Sequence, residues 1–515
     1  MKILTNFREF FISKNMKFKI LIALLLIPMG LMFAQDLTDA VRFSRQDLMG
    51  TARFSGMSGA FSSLGGDLSA LKLNPSGSSI FLTNHASGTL NLNIRSNDVN
   101  FTDGLTSDNE TTFDLNQAGI VFVFASNNED ATLSKYAYGF TYEQIANYDD
   151  SYVARGNNSQ SIDQFFVDSA NGLPLDLLTP LAGESVSDLY VFLGETEGVS
   201  AQNALLGFQS FVIDPVDPDD FNNTIYTSNM TADNVLQDYI IREDGYHGKF
   251  SFNASVELSK RFYFGLNLNA HYMEYDRFTS FLETNSDPTS DINSIRFDNR
   301  LRTRANAFSF QLGSIVKITD QLRAALSYES PTWFNVSDET TQFIRTGSEE
   351  FGPASVDPNV LNIFPNYNYR TASQWTAGLS YIFGGKGLLS VDYNIQDYSN
   401  AKFTSNSLEF LNAEIDQNLT SAGNLNIGGE YVYKQLKFRG GYFFQETPYE
   451  NNFFQGDLEG FSLGLGYTIN NVNIDLAYSL ASIDRNDRLF ETGLDQRAQI
   501  ASDITNLFLT VSFGF

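Results

Sequence analysis

Beyond Asn84 the chain alternates apolar and polar residues with a period of two, the signature of strands that show one face to an apolar surrounding and the other to a polar interior. Phe461, Leu463, Leu465, Tyr467 and Ile469 alternate with Ser462, Gly464, Gly466 and Thr468. Val472, Ile474, Leu476, Tyr478 and Leu480 then alternate with Asn473, Asp475, Ala477 and Ser479. Only Asn470 and Asn471 lie between the two runs, a tight hairpin turn. The same alternation runs through 262–269 and 389–396. Pattern matching predicts 14 strands, near 87–96, 112–126, 134–147, 246–258, 260–275, 299–318, 321–338, 367–383, 386–405, 419–434, 435–448, 458–469, 471–483 and 505–515. The predicted fold class is all-β, a closed antiparallel transmembrane β-barrel over 85–515.

An even strand count returns both ends of such a barrel to the same side of the membrane, and the connections then sort by length. Those expected at the periplasmic side are short, at 259, 319–320, 384–385, 434–435 and 470–471, with 127–133 somewhat longer. Those expected outside are long: 276–298, 339–366, 485–504 and the very long loop 148–245. A soluble β-sandwich would also alternate, but it has no need of aromatic residues at strand ends. Here Tyr272, Tyr275, Tyr328, Trp333, Tyr381, Phe383, Tyr431 and Tyr433 gather there, as an interfacial girdle requires.

At the start of the chain, Lys17 and Lys19 precede an apolar run of roughly 14 residues ending before Gln35, shorter than the ~20 residues of a spanning helix. Residues 1–34 therefore read as a cleaved signal peptide, with an anchor helix as the alternative and either Met1 or Met16 as the start. Composition narrows the class further. The 515 residues carry 33 Lys and Arg against 60 Asp and Glu, a formal net charge of -27, which argues against nucleic acid as a partner. The chain has no cysteine, so disulfides, thiolate metal sites and cysteine nucleophiles are excluded.

Between signal and first strand, 35–84 is too small to build its own core and is expected to fold inside the lumen as a hatch or plug, a periplasmic tail being the alternative. Its wording is specific: Gly50-Thr51-Ala52-Arg53-Phe54-Ser55-Gly56-Met57-Ser58-Gly59-Ala60-Phe61, then Leu64-Gly65-Gly66-Asp67, then Asn74-Pro75-Ser76-Gly77. This resembles the hatch of the FadL/TodX family of outer-membrane transporters of long-chain fatty acids and other hydrophobic compounds, with Ser76 where that family usually has Ala. The resemblance implies a 14-stranded barrel with an N-terminal lumenal hatch. It also implies capture of a hydrophobic small molecule by extracellular loops, lumenal binding, hatch rearrangement and lateral exit near the third strand. The chain's last strand, ending at Phe515 with Leu507, Leu509, Val511 and Phe513 on one face, resembles the terminal signal read by the barrel-assembly machinery. Outer-membrane lipid and lipopolysaccharide would then surround the protein.

Candidate site residues follow. Gly56, Gly59, Gly65, Gly66 and Gly77 suit tight turns in a crowded lumen, and with Asp67, Asn74 and Pro75 they form the expected gating set, although a purely structural role serves each equally well. Phe165, Phe166, Leu177 and Leu178 put apolar groups into the long loop, for a ligand or for packing of short helices on the barrel rim. Alternation turns Glu257, His271, Arg323, Glu329, Asp392, Glu430, Lys437 and Arg439 inward. Lys437 and Arg439 are the candidates to hold a carboxylate headgroup. Gly139, on an inward face of the third strand, is the candidate for a lateral kink. No cofactor or metal is expected: Asp214, Asp217, Asp219 and Asp220 lack the glycine and distal glutamate of a calcium loop. Only His85, His247 and His271 are available to a catalytic triad, and none has a recognisable catalytic setting, so no enzyme is expected. A non-selective porin, or a surface barrel for haem or host ligands, is the rival reading.

Overall fold

The computed structural model describes residues 37–128, 131–231 and 233–515; the expected signal peptide lies outside them. The wall strands are β1 (His85–Phe101), β2 (Gly104–Ala125), β3 (Leu133–Asn147, prolonged by Asp150–Asn158), β4 (Val235–Leu258), β5 (Phe262–Asn285) and β6 (Ile292–Lys317). They continue with β7 (Leu322–Glu329, prolonged by Trp333–Ser348), β8 (Tyr367–Arg370 and Gln374–Ile382), β9 (Gly387–Asp397) and β10 (Ser421–Tyr433). The last four are β11 (Leu436–Gln445), β12 (Leu458–Ile469), β13 (Val472–Arg488) and β14 (Arg497–Gly514). Neighbours pair antiparallel throughout, and β1 pairs with both β2 and β14, from His85 opposite Gly514 to Asn100 opposite Gln499, which closes the sheet into a barrel. Among the described residues no helix is long and apolar enough to cross a membrane.

The expected 14 strands are all present, and the short turns lie where predicted. Ser259, Lys260, Lys434 and Asn470 adopt the left-handed backbone that two-residue hairpins demand. The strands run further than expected, however, and the predicted long connections shrink accordingly: β5 and β6 leave only residues 286–291 between them. The cause is an inversion of phase. Along the lower part of β1 the inward positions are polar, Ser87, Thr89, Asn91, Asn93, Arg95 and Asn97, whereas Val99 and Phe101, in the same inward register, are buried and apolar. β14 does the same, with Ser502, Asn506 and Thr510 inward below and Ala498 and Ile500 inward above. Below, lipid takes the apolar face; above, the apolar face turns inward to meet a cap of helices.

That cap is built by the long connection after β3. Its helices Asp163–Ala170, Leu175–Leu178, Val186–Thr196 and Val199–Gln209 break at Pro174 and Pro180 and bury Phe166, Leu178, Tyr190, Leu193 and Leu205 against the raised wall residues Tyr239, Phe281, Ile295, Phe297 and Ile344. Two expectations fail in this upper region. Tyr275, placed in the girdle by sequence, faces inward and is buried under the Arg42 guanidinium, 3.9 Å from its ring centroid. β9, expected to reach 405, stops at Asp397 because Phe403 pairs back against Tyr369 and the chain turns into helix Leu411–Asn418, which buries Leu411 and Ile415 in the same cluster.

Candidate functional site

Residues 37–81 lie inside the barrel, and 82–84 lead out to the start of β1. Helix α1 (Leu37–Ser44) packs Ala40 and Phe43 against Tyr148, Phe334 and Tyr369. A strap over 45–50 then leads down to α2 (Ala52–Ser55), where the Thr51 hydroxyl accepts from the Phe54 N–H and donates to Asp67 at 2.8 Å. Asn74 caps the 3-10 turn Pro75–Ile80 by accepting from the Ser76 N–H, and its amide donates to the carbonyls of Ser62 and Ser314, each at 3.0 Å. Gly59, Gly65 and Gly66 have positive φ, so the expected tight turns are real there. Gly56 and Gly77 do not; they are small because Gly464 Cα and Gly65 Cα come within about 3 Å of where a Cβ would sit.

Glycines of the wall answer those of the hatch, and the sequence reading missed them. A Cβ on Gly265 would meet the Pro75 carbonyl carbon at 2.3 Å, one on Gly313 the Asn74 Oδ1 at 2.0 Å, and one on Gly378 the Ser62 Oγ at 2.0 Å. Gly428 and Gly441 receive Met57, and Gly464 receives Gly56. Each lies in the inward register of its strand, so the plug presses directly on the wall backbone, with its own backbone at β5, β10, β11 and β12 and with the Asn74, Pro75 and Ser62 side chains at β6 and β8. The one signal in the sequence was this run of inward glycines where polar side chains would otherwise fill the lumen.

Polar anchors complete the seating. Asp392 accepts from both the N–H and the hydroxyl of Ser62 at 2.7 Å. Arg439, with a fully buried side chain, donates to Glu430 at 2.7 Å and to Asp475 at 2.6 Å, and Arg53 of the hatch reaches the same Glu430 at 3.2 Å. Lys437 donates to Asn473 at 3.1 Å beside a small polar hollow shared with Arg53, Asp67 and His85. Lys437 and Arg439 therefore face inward as read from alternation, but Arg439 has its partners inside the protein.

On the opposite side of the plug a cavity of about 120 Å³, open to solvent at its mouth, is bordered by Phe43, Leu48, Phe54, Ile145 and Phe443 together with His247, Lys249, His271, Glu329 and several amides. Lys249 is buried and makes no direct ion pair among the described residues, with the Glu143 and Glu329 carboxylates close enough to interact with it electrostatically. His271 bridges the Ser309 hydroxyl at 2.9 Å and the His247 Nε2 at 3.0 Å, which leaves His247 Nδ1 without a protein partner. None of the candidates Phe165, Phe166, Leu177 and Leu178 borders this cavity. Phe166 and Leu178 are fully buried in the cap core, and Phe165 and Leu177 pack against it, so these groups serve the cap's own packing.

Among the described residues the wall has a seam between β2 and β3. β2 and β3 share a backbone ladder only from Gln117 opposite Glu143 to Ala125 opposite Lys135. Gly139 lies within that ladder, paired with Val121 on one side and Asn253 on the other, so the expected kink is not at this residue. The break comes further up, where the extra residue Ile145 shifts the β3–β4 register between Gln144 and Ala146. Above it the prolongation of β3 pairs with β4 alone. Side chains cross the seam instead: the Asn147 amide donates to Asp114 at 3.0 Å and to Thr112 at 3.2 Å. Phe113 and Leu115, exposed on the outer face of β2 at this height, put the seam at the level of lipid.

A closed 14-stranded antiparallel barrel stoppered by its own N-terminal segment defines an outer-membrane protein of the hatch-bearing transporter class. The family model described as "Outer membrane protein transport protein (OMPP1/FadL/TodX)" matches residues 226–505, more than half of the chain, and the chain belongs to that family. Among solved structures it is similar to a Pseudomonas aeruginosa FadL homologue, at 12% identity and a TM-score of 0.55, over 92% of this chain and 99% of that one. It is also similar to the Pseudomonas putida toluene transporter TodX, at 13% identity and a TM-score of 0.50, over 91% of this chain and 99% of the other. No curated protein matches the sequence. The family is one of outer-membrane transport of hydrophobic compounds, made up of channels and not enzymes.

Proposed function

We propose that the protein carries amphiphilic hydrophobic compounds, long-chain fatty acids foremost, through the outer membrane by way of the lumenal cavity. The cargo leaves sideways through the seam between β2 and β3 once the hatch rearranges. The observation that carries this reading is Lys249, a buried ammonium that makes no direct ion pair among the described residues and, with Glu329 nearby, borders a cavity that also offers Phe43, Leu48, Phe54 and Phe443. An aqueous pore has no use for such a group at a closed lumen, whereas a carboxylate headgroup compensates it and the aromatic side takes the chain. Lys249 thus replaces Lys437 and Arg439 as the headgroup residue, and entry does not run through Phe166 and Leu178, whose surfaces are already covered. The expected export signal over 1–34 and the division into hatch (35–84) and barrel (85–515) belong to this reading.

Lys249→Gln tests it. Loss of a charge-assisted hydrogen bond should weaken oleate binding roughly ten- to a hundredfold while leaving toluene binding unchanged. Equal affinity of both proteins for oleate, measured by equilibrium dialysis in detergent, would remove Lys249 from the site.

A further inference from the structure

Along the wall that borders the cavity runs a row of neutral polar side chains without partners in the protein. Thr376 of β8 stands opposite Asn394 of β9, Asn394 opposite Asn424 of β10, and Asn424 opposite Gln445 of β11, so the four are direct neighbours around the inner wall. All four border the cavity, as does Gln374, the preceding inward residue of β8. None of these five side chains makes a hydrogen bond among the described residues, although Gln374, Thr376 and Asn394 are only 9%, 6% and 8% exposed. The polar groups beside them behave differently. Gln396 donates to the Ala372 carbonyl at 3.1 Å, Asn426 to the Ser58 carbonyl at 2.6 Å, and Asp392 accepts from the Ser62 N–H at 2.7 Å. Those three hold the wall and seat the plug, whereas the row serves neither end and keeps its polar atoms open to the cavity.

The chemistry of the row restricts what can lie against it. A plain hydrocarbon would strip water from the carboxamides and replace none of their hydrogen bonds. Carboxylate, ester and ketone oxygens only accept, so they would satisfy the amide N–H groups and leave the amide oxygens facing them; an ammonium only donates. A hydroxyl does both, as a carboxamide does. Several hydroxyls on one head can therefore follow amides that recur from strand to strand at ~4.8 Å. The hatch contributes the apolar part of the same cavity, Phe43, Leu48 and Phe54, against which the carbon skeleton of such a head and the start of its chain can rest.

We infer that this row is a second headgroup subsite of the cavity, on different strands from Lys249, and that it takes uncharged amphiphiles whose head carries several hydroxyls, such as a monoacylated polyol or sugar. The inference rests on the reading that the cavity holds the cargo. It extends that cargo from acids to neutral hydroxylated lipids and sets hydrocarbons without oxygen apart from both.

Two esters that share a decanoyl chain test it: monodecanoin, whose glycerol head keeps free hydroxyls, and methyl decanoate, which has the ester alone. Binding of each to the whole protein in lipid nanodiscs, corrected for uptake by empty nanodiscs, should be roughly tenfold tighter for monodecanoin, the worth of one or two hydrogen bonds. Asn394→Leu combined with Asn424→Leu, close in shape but apolar, should weaken monodecanoin by about the same factor and erase the preference. Thr376→Val, which replaces a single hydroxyl by a methyl, should weaken it by a smaller factor and stands in if the double variant does not fold into a heat-modifiable barrel. Equal binding of the two esters by the unaltered protein, or a preference that survives these substitutions, overturns the inference. Neither ester carries a charge, so the comparison is independent of Lys249; oleate binding that ignores Lys249→Gln counts against the carboxylate reading alone.

Discussion

Glu283 lies fully buried where the cap meets the raised end of β5, well above the lipid belt. Its carboxylate accepts from the Ser161 hydroxyl, the Ile162 N–H at 3.2 Å and the Gln237 amide at 2.7 Å, and none of these donors is a cation. Burial outweighs those bonds and pushes the carboxyl up to about 7 from an ordinary value of 4.5. The folded cap thus prefers the protonated form. The contribution is complete below the unfolded value and is lost as pH rises through the folded one, a span worth roughly 3 kcal/mol. Hydrogen exchange of the cap helices should accelerate across that window beyond its intrinsic pH dependence, and Glu283→Gln should abolish the excess. A second residue test concerns the sockets. Gly265→Ala drives a methyl into the Pro75–Ser76 backbone and should cost about 1–3 kcal/mol in thermal unfolding in detergent, whereas Gly88→Ala, with open space around it, should not. Much at this scale was legible in the sequence. Alternation placed Arg439 and Lys437 inward correctly, and the positive φ of Gly59, Gly65 and Gly66 follows from residue type. Partners were not legible, because Arg439 meets Asp475 of another strand and shares Glu430 with the hatch, and no local pattern encodes that distance.

Among the elements, the lower strands declared themselves because lipid demands an apolar side chain at every second residue. Their upper ends did not, because the apolar set crosses to the inner face there, and a period-two pattern that changes phase looks like the end of a strand. Val99 and Phe101 of β1 and Ile500 of β14 belong to strands whose pattern had, on its face, already stopped. The seam was half legible. The break in pairing does fall on β3, but not at Gly139, since an inward glycine in this wall usually seats the hatch or a neighbouring side chain. The bulge at Ile145 comes from an extra residue opposite a regular partner strand, which single-strand alternation cannot reveal.

For the molecule as a whole, two seals lie in series along the lumen. The cap core closes the outer mouth with apolar contacts, and the plug closes the inner one with backbone contacts and buried charge. If the plug is the inner seal, deletion of residues 37–81 should convert a barrel that excludes sugars into one that admits them, read as swelling of proteoliposomes. Equal swelling of the intact protein would favour the porin instead.

The join of β1 to β14 also bears on how such a barrel is made. Its two partners come from the far ends of the sheet, so the cylinder shuts only when the last strand has arrived, and until then both raw edges must be shielded from pairing with other chains. The glycine sockets for the plug lie on strands between β5 and β12, away from that join. An open sheet can gather the plug from the side and then curl around it, so the stopper is enclosed during biogenesis and never has to be threaded through a finished pore.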